Sequence, residues 1–154
     1  MTLSASTLGD ELKAMGLYDN ESDAIDAWAA AYRAYFEDAT SNSVTIVPAS
    51  LIASESAMAV GMVGLKTTGA LSIQAGIAAF WAAIIPSVAW PTVTAIAPPV
   101  LLTGISAALT TVFTANKEGE LSKDESMDAI AASIHINSAG GLATWPGPST
   151  FPIL

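Results

Sequence analysis

The sequence contains no cysteine and little charge, and each absence limits what the chain can be. Without cysteine, a disulfide framework and cysteine-ligated metal sites are excluded. Only 12% of the 154 residues are charged, roughly half the ~25% of an average soluble domain, whereas 52% are hydrophobic. So few charges do not cover the surface of an ordinary soluble monomer. The composition therefore predicts a large contact with other subunits or with a membrane.

Basic residues are the scarcest charged group. Five Lys and Arg stand against 14 Asp and Glu, which gives a net charge of −9. Because such a chain has too few cations to neutralise phosphates, nucleic acid is not expected as a partner. Most of the acids lie in two blocks, residues 10–38 and 118–128. Between Lys66 and Lys117 there is no ionisable side chain at all, so this charge-free stretch needs a cover other than water.

Apolar residues recur at helical spacing along most of the chain, which predicts a mainly α bundle of five or six helices. Asn20 is a favourable N-cap for the clearest amphipathic helix, and Ser122 and Glu125 have capping-box spacing. The predicted helices cover residues 4–15, 21–39, 49–65, 71–85, 100–115 and 123–139. The large residues predicted to face the core are Ile25, Trp28, Tyr32, Tyr35, Phe36, Ile73, Ile77, Phe80, Trp81, Ile84, Leu102, Ile105, Leu109, Val112 and Phe113.

Three segments are predicted to lack helix. Residues 44–47 are β-prone and stop at Pro48, which predicts a short extended arm or a single strand. Residues 86–98 contain several prolines and are predicted to be a connector rather than a helix. Residues 142–154 are predicted to form an extended, proline-rich C-terminal tail, because proline fixes φ and removes a backbone donor.

An internal duplication is predicted within a single domain of residues 1–154. Residues 49–98 and 99–148 each contain an apolar helix, a Gly-x-Leu-Ser motif, a second helix and a Trp-Pro pair. The repeat length of about 50 residues suits a repeated supersecondary unit, although chance matches in an alanine-rich chain are the alternative. If the duplication is real, two helical hairpins pack face to face behind the acidic and aromatic helices of residues 1–40.

Residues 114–125 resemble the calcium loop of EF-hand proteins. Gly119 falls at the turn glycine of that loop, and the candidate ligands are Asn116, Glu118, Glu120 and Glu125. Thr114, however, stands where the loop needs its first Asp, so one carboxylate is missing. A capped helix-turn-helix explains the same residues without metal. The favoured prediction is therefore that the chain uses no metal and no other cofactor.

Residues suited to catalysis are sparse. The chain has no cysteine nucleophile, no Gly-x-Ser-x-Gly and no phosphate-binding glycine loop. His135 is the sole histidine and lies between two isoleucines in an apolar helix, where a structural role is more typical than general-base catalysis. The sequence therefore does not predict an enzyme.

A membrane-inserting, holin-like hairpin is one explanation of the charge-free stretch. Residues 67–85 and 99–116 are each close to the ~20 residues that span a bilayer, and Lys66 and Lys117 would lie on the same side. Against this explanation, the second segment carries several threonines and the flanks are acidic. The large residues also keep to one face, which lipid does not require. A membrane is therefore the less favoured partner.

A subunit of a large assembly is the favoured explanation, because extended arms and tails need partners for their backbone groups. Residues 71–81, the pairs Trp90-Pro91 and Trp145-Pro146, and residues 140–148 resemble those of small helical virion proteins of tailed bacteriophages. The resemblance implies a structural, non-catalytic protein of the virion that contacts copies of itself and other virion proteins. The residues expected at such contacts are Val44, Ile46, Ala75, Ala79, Thr103, Thr110, Trp145 and Phe151.

Overall fold

The computed structural model describes residues 2–147 and 149–154, so Pro148 of the predicted tail lies outside the described residues. The described chain is mainly helical, as predicted, with small antiparallel sheets. Its helices are α1 (Ala5–Ala14), α2 (Glu21–Phe36), α3 (Ile52–Gly61), α4 (Leu65–Ala83), α5 (Pro86–Ala89), α6 (Ile105–Lys117) and α7 (Lys123–Ser138). Its strands are β1 (Thr40–Ser41), β2 (Val44–Thr45), β3 (Ala95–Ala97), β4 (Leu142–Trp145) and β5 (Ser149–Pro152). Short 3₁₀ helices at Pro48–Leu51 and Val100–Gly104 lead into α3 and α6.

The helix count exceeds the prediction because of α5. This four-residue helix lies in the segment predicted to be a helix-free connector. Pro86 is at its first turn, where the fixed φ of proline suits a helix start and no donor is lost. The other six helices in the described residues correspond to the predicted ones, but α4 begins six residues earlier than predicted, at Leu65, and α6 five residues later, at Ile105.

The predicted helix caps are confirmed by their hydrogen bonds. Asn20 Oδ1 accepts from the backbone N–H of Asp23 at 2.8 Å. The hydroxyl of Ser122 accepts from the N–H of Glu125 at 3.3 Å, and Glu125 Oε2 accepts from the N–H of Ser122 at 2.8 Å. The start of α7 is therefore a complete capping box.

The six longer helices form a closed ring in which each contacts the next, in the order α1, α2, α3, α4, α6, α7 and back to α1. The predicted large residues fill the centre of this ring, and most of them are buried. Phe36 packs edge-on against Trp81 with ring centroids 4.9 Å apart, and Phe80 meets Tyr32 in the same way at 4.9 Å. Aromatic contacts thus join α2 to α4 across the core.

Two tyrosines of α2 carry the polar groups of this core. The hydroxyl of Tyr32 donates to Ser138 Oγ at 3.1 Å and accepts from Trp81 Nε1 at 3.2 Å. The hydroxyl of Tyr35 is hydrogen-bonded to His135 Nδ1 at 2.9 Å. Burial raises the pKa of Tyr32 to about 12 and also raises that of Tyr35, so both phenols stay protonated at neutral pH.

Of the two predicted forms of residues 44–47, the arm and the strand, the structure shows a strand at Val44–Thr45, which is paired in a hairpin. β2 pairs with β1 around Asn42 and Ser43, which have φ values of 49° and 62° as in a two-residue hairpin turn. Ile46 follows the hairpin into the core and is only 2% exposed. Pairing within the chain thus satisfies backbone groups that a free arm would leave unpaired.

The predicted tail is also folded onto its own chain. β4 pairs antiparallel with β3 on one side and with β5 on the other. The last residue, Leu154, exchanges two hydrogen bonds with Thr40 at 2.8 and 2.9 Å. The C-terminal segment therefore ties the β4–β5 hairpin to the β1–β2 hairpin.

The internal duplication stays a prediction. The pairs α3–α4 and α6–α7 are each preceded by a 3₁₀ helix, and the strands that follow them, β3 and β4, pair with each other. The glycines of the two Gly-x-Leu-Ser motifs, Gly69 and Gly119, both have positive φ, of 26° and 76°. Glycine adopts such values without the steric strain that other residues meet.

Ser54 offers a test of the packing between α3 and its neighbours. Its side chain is fully buried, and its hydroxyl is the one buried side-chain polar atom in the described residues without a hydrogen-bond partner. Ser54→Ala removes this unpaired group and should raise the free energy of unfolding by about 1 kcal/mol in urea denaturation. Ser56→Ala, at an exposed position of the same helix, is the control and should change it by less than about 0.5 kcal/mol. Loss of stability in Ser54→Ala would contradict this packing.

Candidate interaction surface

Many of the charged residues lie at one end of the helix ring. There the N–H of Gly64 donates to Glu21 Oε1 at 2.8 Å, and Lys13 Nζ lies 2.6 Å from Asp128. The turns that follow α1, α3 and α6 all lie at this charged end. Residues 39–54, 84–104 and 139–154 form the opposite end, where the strands lie, and contain no Asp, Glu, Lys or Arg. The strand-bearing segments, which we call the sheet end, are therefore uncharged, although Arg33, Glu37, Asp38 and Glu55 lie next to them.

The outer side of α4 is as apolar as its core side. Leu71, Ala75, Ala78 and Ala82 are exposed at helical spacing, and Ile85 continues the row just beyond the helix. Leu71 is 56% and Ile85 54% exposed. A helix that is apolar all round is usually covered on every side. The described chain covers α4 with α2, α3 and α6 but leaves this row exposed.

The neighbouring outer side of α6 is made of threonine and alanine. The hydroxyls of Thr110, Thr111 and Thr114 donate to the carbonyl four residues earlier, at 2.7, 3.3 and 2.9 Å. Because these donors are already paired along the helix, the surface loses little when water leaves it. The N–H of Ser106 donates to Gln74 Oε1 at 2.9 Å and joins α6 to α4.

These two helix surfaces form one continuous, uncharged area, which we call the α4–α6 face. It comprises Leu71, Ala75, Ala78, Ala82, Thr103, Ala107, Thr110, Thr111 and Thr114. At Ile85 it meets the exposed apolar residues of the sheet end, which are Val44, Val47, Val88, Val100, Leu101 and Leu142. The N–H of Val47 donates to Ala89 O at 2.9 Å, so the β1–β2 hairpin packs beside α5.

The predicted contact residues divide into two groups. Val44, Ala75, Thr103 and Thr110 are exposed and belong to the α4–α6 face or the sheet end. The other four make contacts within the chain. Ile46 is buried in the core, and Ala79 lies against Gly61. The indole N–H of Trp145 donates to Ser41 Oγ at 3.1 Å, and Phe151 is paired with Ala143 in the sheet. The sequence analysis missed Leu71, Ala78, Ala82 and Ile85, although their spacing of four and three residues was visible in the sequence.

The segment that resembles a calcium loop spans the turn between α6 and α7. Asn116 Oδ1 accepts a hydrogen bond from Ser126 Oγ at 2.9 Å, and Glu125 belongs to the cap of α7. Hydrogen bonds from the side chain and backbone of Ser122 lower the pKa of Glu125. Glu118 and Glu120 are exposed. Across residues 2–147 and 149–154, no cluster of three or more His, Asp or Glu side chains is arranged to hold a metal ion.

The segments considered as membrane spans are not two uniform helices. α4 is interrupted at Gly69, where φ is 26° and ψ is −95°, and the second segment begins with the 3₁₀ helix before α6. Within the part of the chain that the structure describes, no helix combines the length and the apolar character needed to cross a bilayer.

Comparison of the chain with protein-family models, curated proteins and solved structures finds no match. The α4–α6 face therefore has to be understood from its own residues. Its alanines and threonines offer area for close packing, and the hydroxyls of Thr110, Thr111 and Thr114 are already paired with helix carbonyls.

Proposed function

We propose that the chain is a structural subunit of a homo-oligomeric assembly, specifically the particle of a tailed bacteriophage. In this proposal it acts by packing against copies of itself and other virion proteins, and not by catalysis. The observation that carries the proposal is the exposure of the uncharged α4–α6 face, together with the exposed apolar residues of the sheet end. Contiguous apolar surface of this kind marks interaction sites in soluble proteins.

Small side chains make the α4–α6 face suitable for a copy of the same chain. Alanine and threonine let two helices approach closely, and burial of apolar area contributes about 25 cal/mol per Å². The threonine hydroxyls keep their helix carbonyl partners when water leaves, so little desolvation opposes association. The charged end lies away from the sheet end and remains hydrated in the assembly.

A membrane is the alternative cover for this face, and one measurement separates the two. We expect the purified chain to stay in solution without detergent and to show a molar mass, by light scattering after size exclusion, several times that of its 15.7 kDa monomer. The mass should fall on dilution, since association follows mass action. A monomer that persists at every concentration, or a chain that needs detergent, would overturn the proposal.

A further inference from the structure

A groove between α2 and α3 lies on the ring beside the α3–α4 pair. Two concavities of about 390 and 280 Å³ form it and share Asp26 and Ala59. Its floor is made of small or apolar side chains such as Ala29 and Ala59. On the α3 side it is bounded by Val60 and Val63, which are 75% and 74% exposed. An open groove with a small-residue floor allows another helix to approach closely.

Carboxylates line the α2 side of the same groove. Asp26 is exposed and, among the described residues, forms no ion pair. Glu21 also borders the groove, near Val63. Its Oε1 accepts a hydrogen bond from the N–H of Gly64, and it forms no ion pair in the described residues. At the far end, Glu55 pairs with Arg33 at 2.8 Å. The groove therefore combines the exposed apolar side chains of Val60 and Val63 with the carboxylate of Asp26, which forms no ion pair in the described residues.

We infer that this groove binds a cationic amphipathic helix of another protein. Such a helix would cover Val60 and Val63 with its apolar face and place Lys or Arg beside Asp26, which is the helix-in-groove mode of recognition. A second copy of the chain is a poor occupant, because it has only five basic residues and none of them lies on its α4–α6 face. The inference goes beyond the proposed function, because copies would use the α4–α6 face and leave this groove for a different partner.

Calorimetry with the full chain and designed peptides tests the inference. The probe is an amphipathic helical peptide of about 15 residues composed of Leu, Ala and Lys, long enough to follow α3. Its controls are a scrambled peptide of the same composition and a version with Glu in place of Lys. We expect only the first to bind, with an affinity that falls as salt is added.

Matched variants locate the binding site. Asp26→Asn should weaken peptide binding about fivefold, and Val60→Ser combined with Val63→Ser about tenfold or more. Glu11→Gln on α1, and Leu17→Ser combined with Ile136→Ser, two exposed apolar residues outside the groove and the α4–α6 face, should leave it within about twofold. Equal binding of the scrambled peptide, no binding at all, or equal loss in the control variants would each overturn the inference.

The outcomes separate this inference from the proposed function. If the chain assembles but does not bind the peptide, the inference about the groove is contradicted and the proposed assembly is not. A chain that binds the peptide through Val60 and Val63 yet stays monomeric contradicts the proposed assembly and supports the groove.

Discussion

Replacing Ala75 and Ala78 together by glutamate should convert the assembly into monomers without unfolding the chain. Both side chains point outward from α4, so the added carboxylates are hydrated in the monomer. In the assembly each would be buried without a partner, and an unpaired buried charge costs several kcal/mol. Light scattering should report the monomer mass, while the circular dichroism spectrum and the Tm should match those of the wild type.

The control for this variant carries the same charge at other exposed alanines. Ala14 and Ala30, on α1 and α2, lie outside the α4–α6 face. Their double replacement by glutamate adds the same −2 and should leave the assembly intact. If the control variant dissociated equally, net charge and not the α4–α6 face would govern association. An Ala75→Glu, Ala78→Glu variant that still assembled would show that the face is not a subunit contact.

Gly76→Val should destabilise the chain more than any surface change. At this position α4 lies against α3, and an added Cβ would overlap the Met62 side chain and lie 3.1 Å from Met58 O. Gly61 is the opposing residue of α3, where an added Cβ would lie 3.0 Å from the Cα of Gly76. Because buried Met58 and Met62 have no free space, the helices must separate. We expect the free energy of unfolding in urea to fall by about 3 kcal/mol.

Gly16→Val is the matched control for Gly76→Val. Gly16 lies in the turn after α1, and an added Cβ there meets nothing within 4 Å. Its substitution should change the free energy of unfolding by less than about 0.5 kcal/mol. If Gly76→Val unfolded like the wild type, the close approach of α3 and α4 would not exist in solution.

The helices and the core were predictable because their determinants are local. Caps such as Asn20 act over three residues, and the spacing of Tyr32, Phe36, Phe80 and similar side chains identifies the inward faces. The strands were not predictable in the same way. β3 pairs with β4 across more than forty residues, and the hairpin at Asn42 and Ser43 was overlooked because its strands have two residues each.

The surface was predictable only in part for a geometric reason. Ala75, one of the predicted contact residues, is exposed on α4. Ala79 is one further turn along the helix, and at that point α3 crosses, so Ala79 lies against Gly61 and is only partly exposed. Leu71 and Ile85 are large and were not expected outside the core. Which large residue lies outward depends on the neighbouring helix, which periodicity in one helix does not reveal.

Covering of α4 by identical chains is best tested with a single thiol at Ala78. The chain has no cysteine, so Ala78→Cys carries the only reactive sulfur, and Ala14→Cys provides a control on α1. At concentrations where light scattering detects the assembly, the thiol at position 78 should react with a maleimide at least about tenfold more slowly than in dilute monomer, since thiol reactivity depends on exposure. The thiol at position 14 should react at one rate in both states. Equal labelling of position 78 in assembly and monomer would show that α4 remains in water and that copies of the chain do not cover it.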